Sequence, residues 1–178
     1  MIGRLGLLLA GVLFTAAAPG DAGSSNFDRS VTALAARQAA ADAGATARLR
    51  QAARSLQAAG TTPVDGSEDL AQRWHAGSAA VAPYRDRALG PAYRTVSVPP
   101  GGTARFEQIF LAGRQARVAV VAVRRSSFDL SVSNDDDTTV CSGIAAGGWD
   151  WVPLWTTRFS LKLKNARPSA ETYYLVAQ

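Results

Sequence analysis

The sequence predicts an α+β chain in which Ala-rich N-terminal helices are followed by a seven- to eight-stranded antiparallel β-sandwich. Three observations carry this. A charge-free apolar run, Leu5–Phe14, stands near the start. Helix-forming residues dominate up to about residue 60. From Tyr93 onward the hydrophobic period changes from helical to two. The division expected is residues 1–22 as a signal peptide, 23–90 as an Ala-rich helical region and 91–178 as the sandwich.

The leader comes first. Met1–Arg4 is short and basic, Leu5–Phe14 is apolar, and Thr15–Ala18 supplies small residues at the spacing a signal peptidase reads. The apolar run is shorter than the roughly 20 residues of a bilayer-spanning helix, so no transmembrane anchor is expected after cleavage. Pro19 disfavours a cut directly before it, so a cut after Ala17 or after Ala22 is expected as much as one after Ala18. The expected location is periplasmic or secreted.

Two helices are expected over residues 27–43 and 45–59, rich in Ala, Arg, Gln and Leu. Gly44 and Gly60 sit where helix C-termini favour glycine. Val31, Leu34 and Ala35 form one thin apolar stripe, and Leu49, Ala52, Ala53 and Leu56 another. Stripes made largely of Ala bury little area, so the pair is expected to be a loosely held helical hairpin, or a tether that orders only against something else, and to be dispensable to the fold. Thr61–Gly66 breaks the helical pattern. Asp65 and Glu68 then have capping-box spacing and open a third helix, with Leu70, Trp74 and Val81 on one face.

In the C-terminal half, Val96 and Val98 alternate with polar neighbours before the turn Pro99–Gly102. Thr103–Leu111 follows, then a turn at Ala112–Gln115. Ala116–Val123 is almost continuously apolar, as a strand covered on both faces would be. Phe128, Leu130 and Val132 alternate up to the turn at Asn134–Asp137, and Val140 lies in a short return strand. Phe159, Leu161 and Leu163 alternate again, and Thr172–Ala177 closes the set of seven.

The order of FDLSVSNDDDTTVCS, a Trp/Gly-rich loop, RFSLKLKN and TYYLVAQ resembles the bacterial pre-peptidase C-terminal domain. The features that carry the resemblance are the strand at Asp129–Val132 with the turn after it, the strand Phe159–Leu163 and the final strand Tyr173–Val176, within about residues 93–178. The resemblance implies a small jelly-roll-like sandwich acting as a non-catalytic module.

Charge and composition narrow the function classes. The formal charge is +5, and Lys162 and Lys164 are the only lysines among 19 basic residues. Such a balance is compatible with nucleic acid, anionic envelope polymers or a membrane surface, but the arginines are scattered from Arg29 to Arg167 without a dense run, which reads first as a solvated basic surface. Nucleic acid is not expected as a partner, because basic residues form no dense run interleaved with aromatics. The single cysteine, Cys141, excludes an internal disulfide and is expected to be buried as a small hydrophobe. No cofactor is expected, since phosphate-cradling glycine motifs and Cys/His metal spacings are missing from the sequence.

Three constellations compete as sites. Asp135, Asp136 and Asp137 offer hard oxygens to calcium, but also suit a solvated hairpin turn. His75, the one histidine, has Ser78 three residues on, yet nothing local supplies an orienting group or an oxyanion hole. Trp149, Asp150, Trp151 and Trp155 lie in a Gly- and Pro-containing segment and are the candidates for contact with an envelope protein or a glycan. The competing reading is that the indoles cap the core. Trp155 is expected to be structural, because it leads into the Phe159–Leu163 strand, and Trp149 exposed beside Gly147 and Gly148. The chain is thus read as an exported non-catalytic binding or scaffolding protein. The alternative is a small periplasmic hydrolase or enzyme-accessory protein using His75.

Overall fold

A computed structural model describes residues 25–39, 45–64, 66–75, 90–143 and 148–178. The leader, Asp65, Ser78, Val81 and Gly147 lie outside the described residues. The elements are α1 (Asn26–Ala39), α2 (Ala45–Ala58), β1 (Thr62–Pro63), α3 (Leu70–Trp74), β2 (Ala92–Val98), β3 (Thr103–Phe110) and β4 (Ala116–Ala122). They continue with β5 (Phe128–Ser133), β6 (Thr139–Gly143), β7 (Trp149–Trp151), β8 (Thr157–Asn165) and β9 (Glu171–Ala177). Two sheets face one another, in the orders β1-β2-β9-β4-β7 and β3-β8-β5-β6. The eight strands β2–β9 pair antiparallel, while β1 adds a two-residue parallel edge to β2. The fold is therefore an α+β sandwich, as the change of period predicts.

The sandwich core is made by the inward side chains of both sheets, including Val98, Val118, Leu130, Val132, Leu161, Leu163 and Tyr173. β4 explains its own composition. Val118, Val120 and Ala122 face that core, while Ala119 and Val121 face the opposite way and are equally buried. What covers that second face is the helical segment. Phe27, Leu34, Ala53 and Leu56 are almost completely inaccessible and share one cluster with Trp74, Tyr93, Ala119, Val121, Tyr174 and Val176. The expectation of a loosely held helical pair is corrected here. Alanines add little area themselves, but they let α1 and α2 approach closely enough for Phe27, Leu34 and Leu56 to be sealed.

Local chemistry fixes these helices in place. Ser25 caps α1 reciprocally with Asp28: the Asp28 amide donates to Ser25 Oγ at 3.2 Å, and the Ser25 amide donates to Asp28 Oδ2 at 3.3 Å. Arg117 on β4 then donates to Asp28 Oδ1 at 2.7 Å and to Ser25 Oγ at 2.6 Å, with its guanidinium 4.3 Å from the Phe27 ring centre. Hydrogen bonds from Arg117, and next from Ser25, hold the Asp28 carboxyl below the ordinary carboxylate range. The end of α2 is closed by Gly60 at φ 67°, where the Thr61 amide reaches Leu56 O and the Gly60 amide reaches Gln57 O.

The third helix differs from its expectation. Asp69, not Asp65, is the N-cap, its carboxylate accepting from the amides of Ala71 and Gln72. Gly66 at φ 75° and the Ser67 amide bonded to Val64 O turn the chain first, so the helix begins later than the Asp65/Glu68 spacing implies. Tyr93 ties α3 to the sheet: its hydroxyl donates to Glu68 O at 2.8 Å and accepts from the Leu70 amide at 2.7 Å. The sequence-level breaker Thr61–Gly66 contains β1, whose Pro63 is tolerated because an edge strand needs no further donor there.

Candidate functional site

The sandwich has two distinct ends. At one, the β3–β4 turn, the β5–β6 turn and the connection from β7 to β8 lie together. The Ala112 amide donates to Thr156 Oγ1 at 2.9 Å, the Gly113 amide to Pro153 O at 2.9 Å, and Thr157 Oγ1 to Asp135 Oδ2 at 2.7 Å. The segment read from sequence as a tryptophan loop begins as strand β7, paired on the edge of β4 through Trp149↔Val118 and Trp151↔Ala116. Gly148 permits this approach, since a Cβ there would lie 2.5 Å from Val118 O.

Strand alternation then separates the candidate residues. Trp149 and Trp151 point to the sandwich core, and Trp151 packs edge-on to Phe110 at 5.0 Å between ring centres. Neither indole N–H has a hydrogen-bond partner. Asp150 points outward and accepts from Gln115 Nε2 at 3.1 Å. Trp155 lies beyond the strand on a bend and is 77% exposed, with Leu154 beside it 83% exposed. The expectation for the first and last tryptophans is therefore reversed. Trp149 is half-buried and Trp155 is in solvent, because the chain bends at Leu154–Trp155 before β8 begins at Thr157.

Trp155 has apolar company that the sequence reading missed. Ile109, Leu111, Val152, Leu154 and Trp155 are five of the six exposed large apolar side chains among the described residues, and Val140 is the sixth. All five lie on the end of β3, its following turn and the connection after β7, the two segments joined by the Ala112–Thr156 and Gly113–Pro153 bonds. A cleft of about 880 Å³ opens alongside, lined by Ile109, Leu111, Arg114 and Arg117 among others. No sequence pattern marks this set, because strand periodicity does not say which loops meet in space.

The acidic turn presents its carboxylates to different partners. Asp135 accepts from Thr157, Asp136 Oδ1 accepts from the Thr138 amide at 3.1 Å, and Asp137 adopts a left-handed φ of 63°. The hydrogen bonds from Thr138 hold the Asp136 carboxyl below its ordinary range. Among the described residues no three His, Cys, Asp or Glu side chains converge on a metal position. Millimolar calcium is accordingly expected to leave the thermal midpoint unchanged. A calcium-dependent rise that Asp136→Ala abolishes would establish a metal site at this turn.

His75 ends α3, with its Nδ1 buried and without a hydrogen-bond partner. Nothing described orients it as a base. Cys141 is half-buried against the sandwich core, and burial pushes its thiol up to about 11, which keeps it protonated and inert at neutral pH.

No protein-family model matches the chain, and no curated protein does either. Solved structures supply likenesses of fold. The chain is similar to the Yersinia pseudotuberculosis-derived mitogen, at 11% identity over 50% of this chain and 85% of that one, with a TM-score of 0.43. It is similar to the pre-peptidase C-terminal domain of collagenase from Bacillus anthracis, at 13% identity over 47% and 87%, with a TM-score of 0.40. A periplasmic inhibitor of g-type lysozyme from Aeromonas hydrophila is similar at 13% identity over 66% and 94%, with a TM-score of 0.42. Among the described residues no helix is long and apolar enough to cross a membrane.

Proposed function

We propose that this chain is an exported, non-catalytic binding protein of the cell envelope, periplasmic or secreted, whose sandwich engages a protein partner through its apolar end. The observation that carries this reading is the gathering of exposed Trp155, Leu154, Val152, Leu111 and Ile109 on two hydrogen-bonded segments. Exposed apolar side chains scattered singly need no explanation, but a contiguous set containing Trp marks an interaction surface. A protein partner suits it better than a glycan. The two polar groups nearest the tryptophans in sequence are already engaged, Asp150 with Gln115 and Arg158 with Glu107. Of the four residues singled out from sequence, Trp155 makes the contact; Trp149 and Trp151 support the segment from beneath, and Asp150 fixes it to the β3–β4 turn.

The experiment separates support from contact. Trp155→Ala and Leu154→Ala are expected to change unfolding free energy by less than about 0.5 kcal/mol. Trp151→Ala is expected to cost about 3–5 kcal/mol. A photo-crosslinker at position 155 should join the chain to one envelope protein. Leu154→Ala should lower that yield, and Val140→Ala should not. A crosslink indifferent to Leu154→Ala overturns the proposal. So does turnover of ester, peptide or glycoside substrates that His75→Ala abolishes.

A further inference from the structure

The opposite end of the sandwich has the reverse character. There the β2–β3 turn, the connection from β4 to β5 and the connection from β8 to β9 meet, held by the Asn165 amide on Gly102 O, the Gly101 amide on Arg167 O and the Ala166 amide on Ser127 O. Exposed on these segments are Arg124, Arg125 and Arg167, with Lys164 at the end of β8. Further cations stand on the outer face of the four-stranded sheet, which no described element covers. Lys162 is two residues from Lys164 on the same face, about 7 Å away, and Arg105 is directly opposite Lys162 in the β3–β8 register. None of these six cations is in an ion pair among the described residues, whereas Arg73, Arg117 and Arg158 are. The carboxylates on this face are Asp129, directly opposite Lys164 in the β5–β8 register, and Glu107, two residues from Arg105 and paired with Arg158; Glu171 is buried and accepts from Ser169 Oγ.

We propose that this end and the adjoining sheet face bind a linear anionic polysaccharide. Six like charges on this end and the adjoining sheet face, outnumbering the carboxylates there and set on a backbone fixed by hydrogen bonds, raise a local positive potential that a chain of anions complements better than a small anion does. The cations do not converge on a cavity, so the complementary partner is extended. A membrane surface fits less well. The exposed large apolar side chains are at the other end or, in the case of Val140, on β6, so nothing here inserts among acyl chains. Hydroxyls interleave with the cations instead: Thr103 opposite Lys164 on β3, and Ser131 opposite Lys162 on β5. Hydroxyls beside cations suit a hydrated polymer. With the apolar end engaging a protein, the sandwich would hold a polymer at one end and a partner at the other.

The test uses the mature chain and heparin as the probe polymer, with affinity measured against salt. Two triple variants remove the same three charges: Arg124→Gln with Arg125→Gln and Arg167→Gln, and, on exposed positions of α2, Arg48→Gln with Arg50→Gln and Arg54→Gln. The first is expected to weaken heparin binding by about tenfold or more and to flatten its salt dependence, because fewer counterions are released. The second should weaken it by less than about twofold, the screened effect of net charge alone. Lys164→Gln should add to the first. Equal weakening by the two triples overturns the proposal, as does failure of the unaltered chain to bind heparin while it binds phosphatidylglycerol vesicles.

Discussion

Asn165→Ala is expected to lower the unfolding free energy by about 3–5 kcal/mol, because one amide side chain closes the basic end of the sandwich. Its Nδ2 donates to Val98 O at 3.1 Å, Pro99 O at 3.1 Å and Ser169 O at 2.7 Å. Its Oδ1 accepts from the Arg167 amide at 2.9 Å and from the Tyr173 hydroxyl at 3.0 Å. Asn165 has no exposed surface, so removal takes a partner from Val98 O and the Tyr173 hydroxyl in the interior and also breaks the links to the more exposed Pro99, Arg167 and Ser169. Burial also pushes the Tyr173 phenol up, which keeps it a neutral donor over the ordinary pH range. Tyr173→Phe deletes one of the five bonds along with its donor and should cost only about 1 kcal/mol. Chemical denaturation of the two variants gives the comparison. A loss below about 1 kcal/mol for Asn165→Ala would show that the network contributes little. Arg167 is held on this hub, so the same variant should also weaken heparin binding.

How much of this molecule was legible depends on how local each signal is. Strands of six to nine residues with one buried face announce themselves by alternation, as Phe128–Ser133 and Thr157–Asn165 do. The near-continuous run in β4 reported burial on both faces, and that reading already demanded a cover for the second face. Only the helical segment could supply it. Judging the Ala stripes by their own small area hid this consequence, since the area that matters belongs to Val121, Tyr174 and Val176 beneath them. Strands of two or three residues, β1 and β7, carry no period and were read as turn and loop. The Asp28–Arg117 pair joins residues 89 apart, and Asn165 is a lone amide at a strand end, so neither leaves a pattern. At the candidate site, Trp149 and Trp151 face the core, as the reading in which the indoles cap it has them. Trp155 was misjudged because its position before β8 says nothing of the bend between them.

A chain beginning at Ser67, lacking α1, α2 and β1, is expected to lose its cooperative thermal transition. Truncation removes α1 and α2 from the sheet face that carries Val121, Tyr174 and Val176, while Tyr93 stays tied to α3 through Glu68 O and the Leu70 amide. Burying a large apolar side chain contributes about 1.5–3 kcal/mol. Three such side chains together amount to roughly 4–9 kcal/mol, comparable with the whole stability of a domain, about 5–15 kcal/mol. Omitting the helices also removes the conformational entropy cost of ordering them, but it leaves an apolar sheet face in water and breaks the Arg117 contacts with Ser25, Phe27 and Asp28. The expected product is compact, binds a hydrophobic dye and unfolds without a sharp midpoint. Point variants test the same interface within the full chain. Leu34→Ala on α1 and Leu56→Ala on α2, at positions with no exposed surface, should each cost about 2–5 kcal/mol. By contrast, Arg50→Gln on the exposed side of α2 should be nearly neutral. A truncated chain that melts cooperatively near the midpoint of the full one, together with small effects at Leu34 and Leu56, would return the helical segment to the status of an appendage.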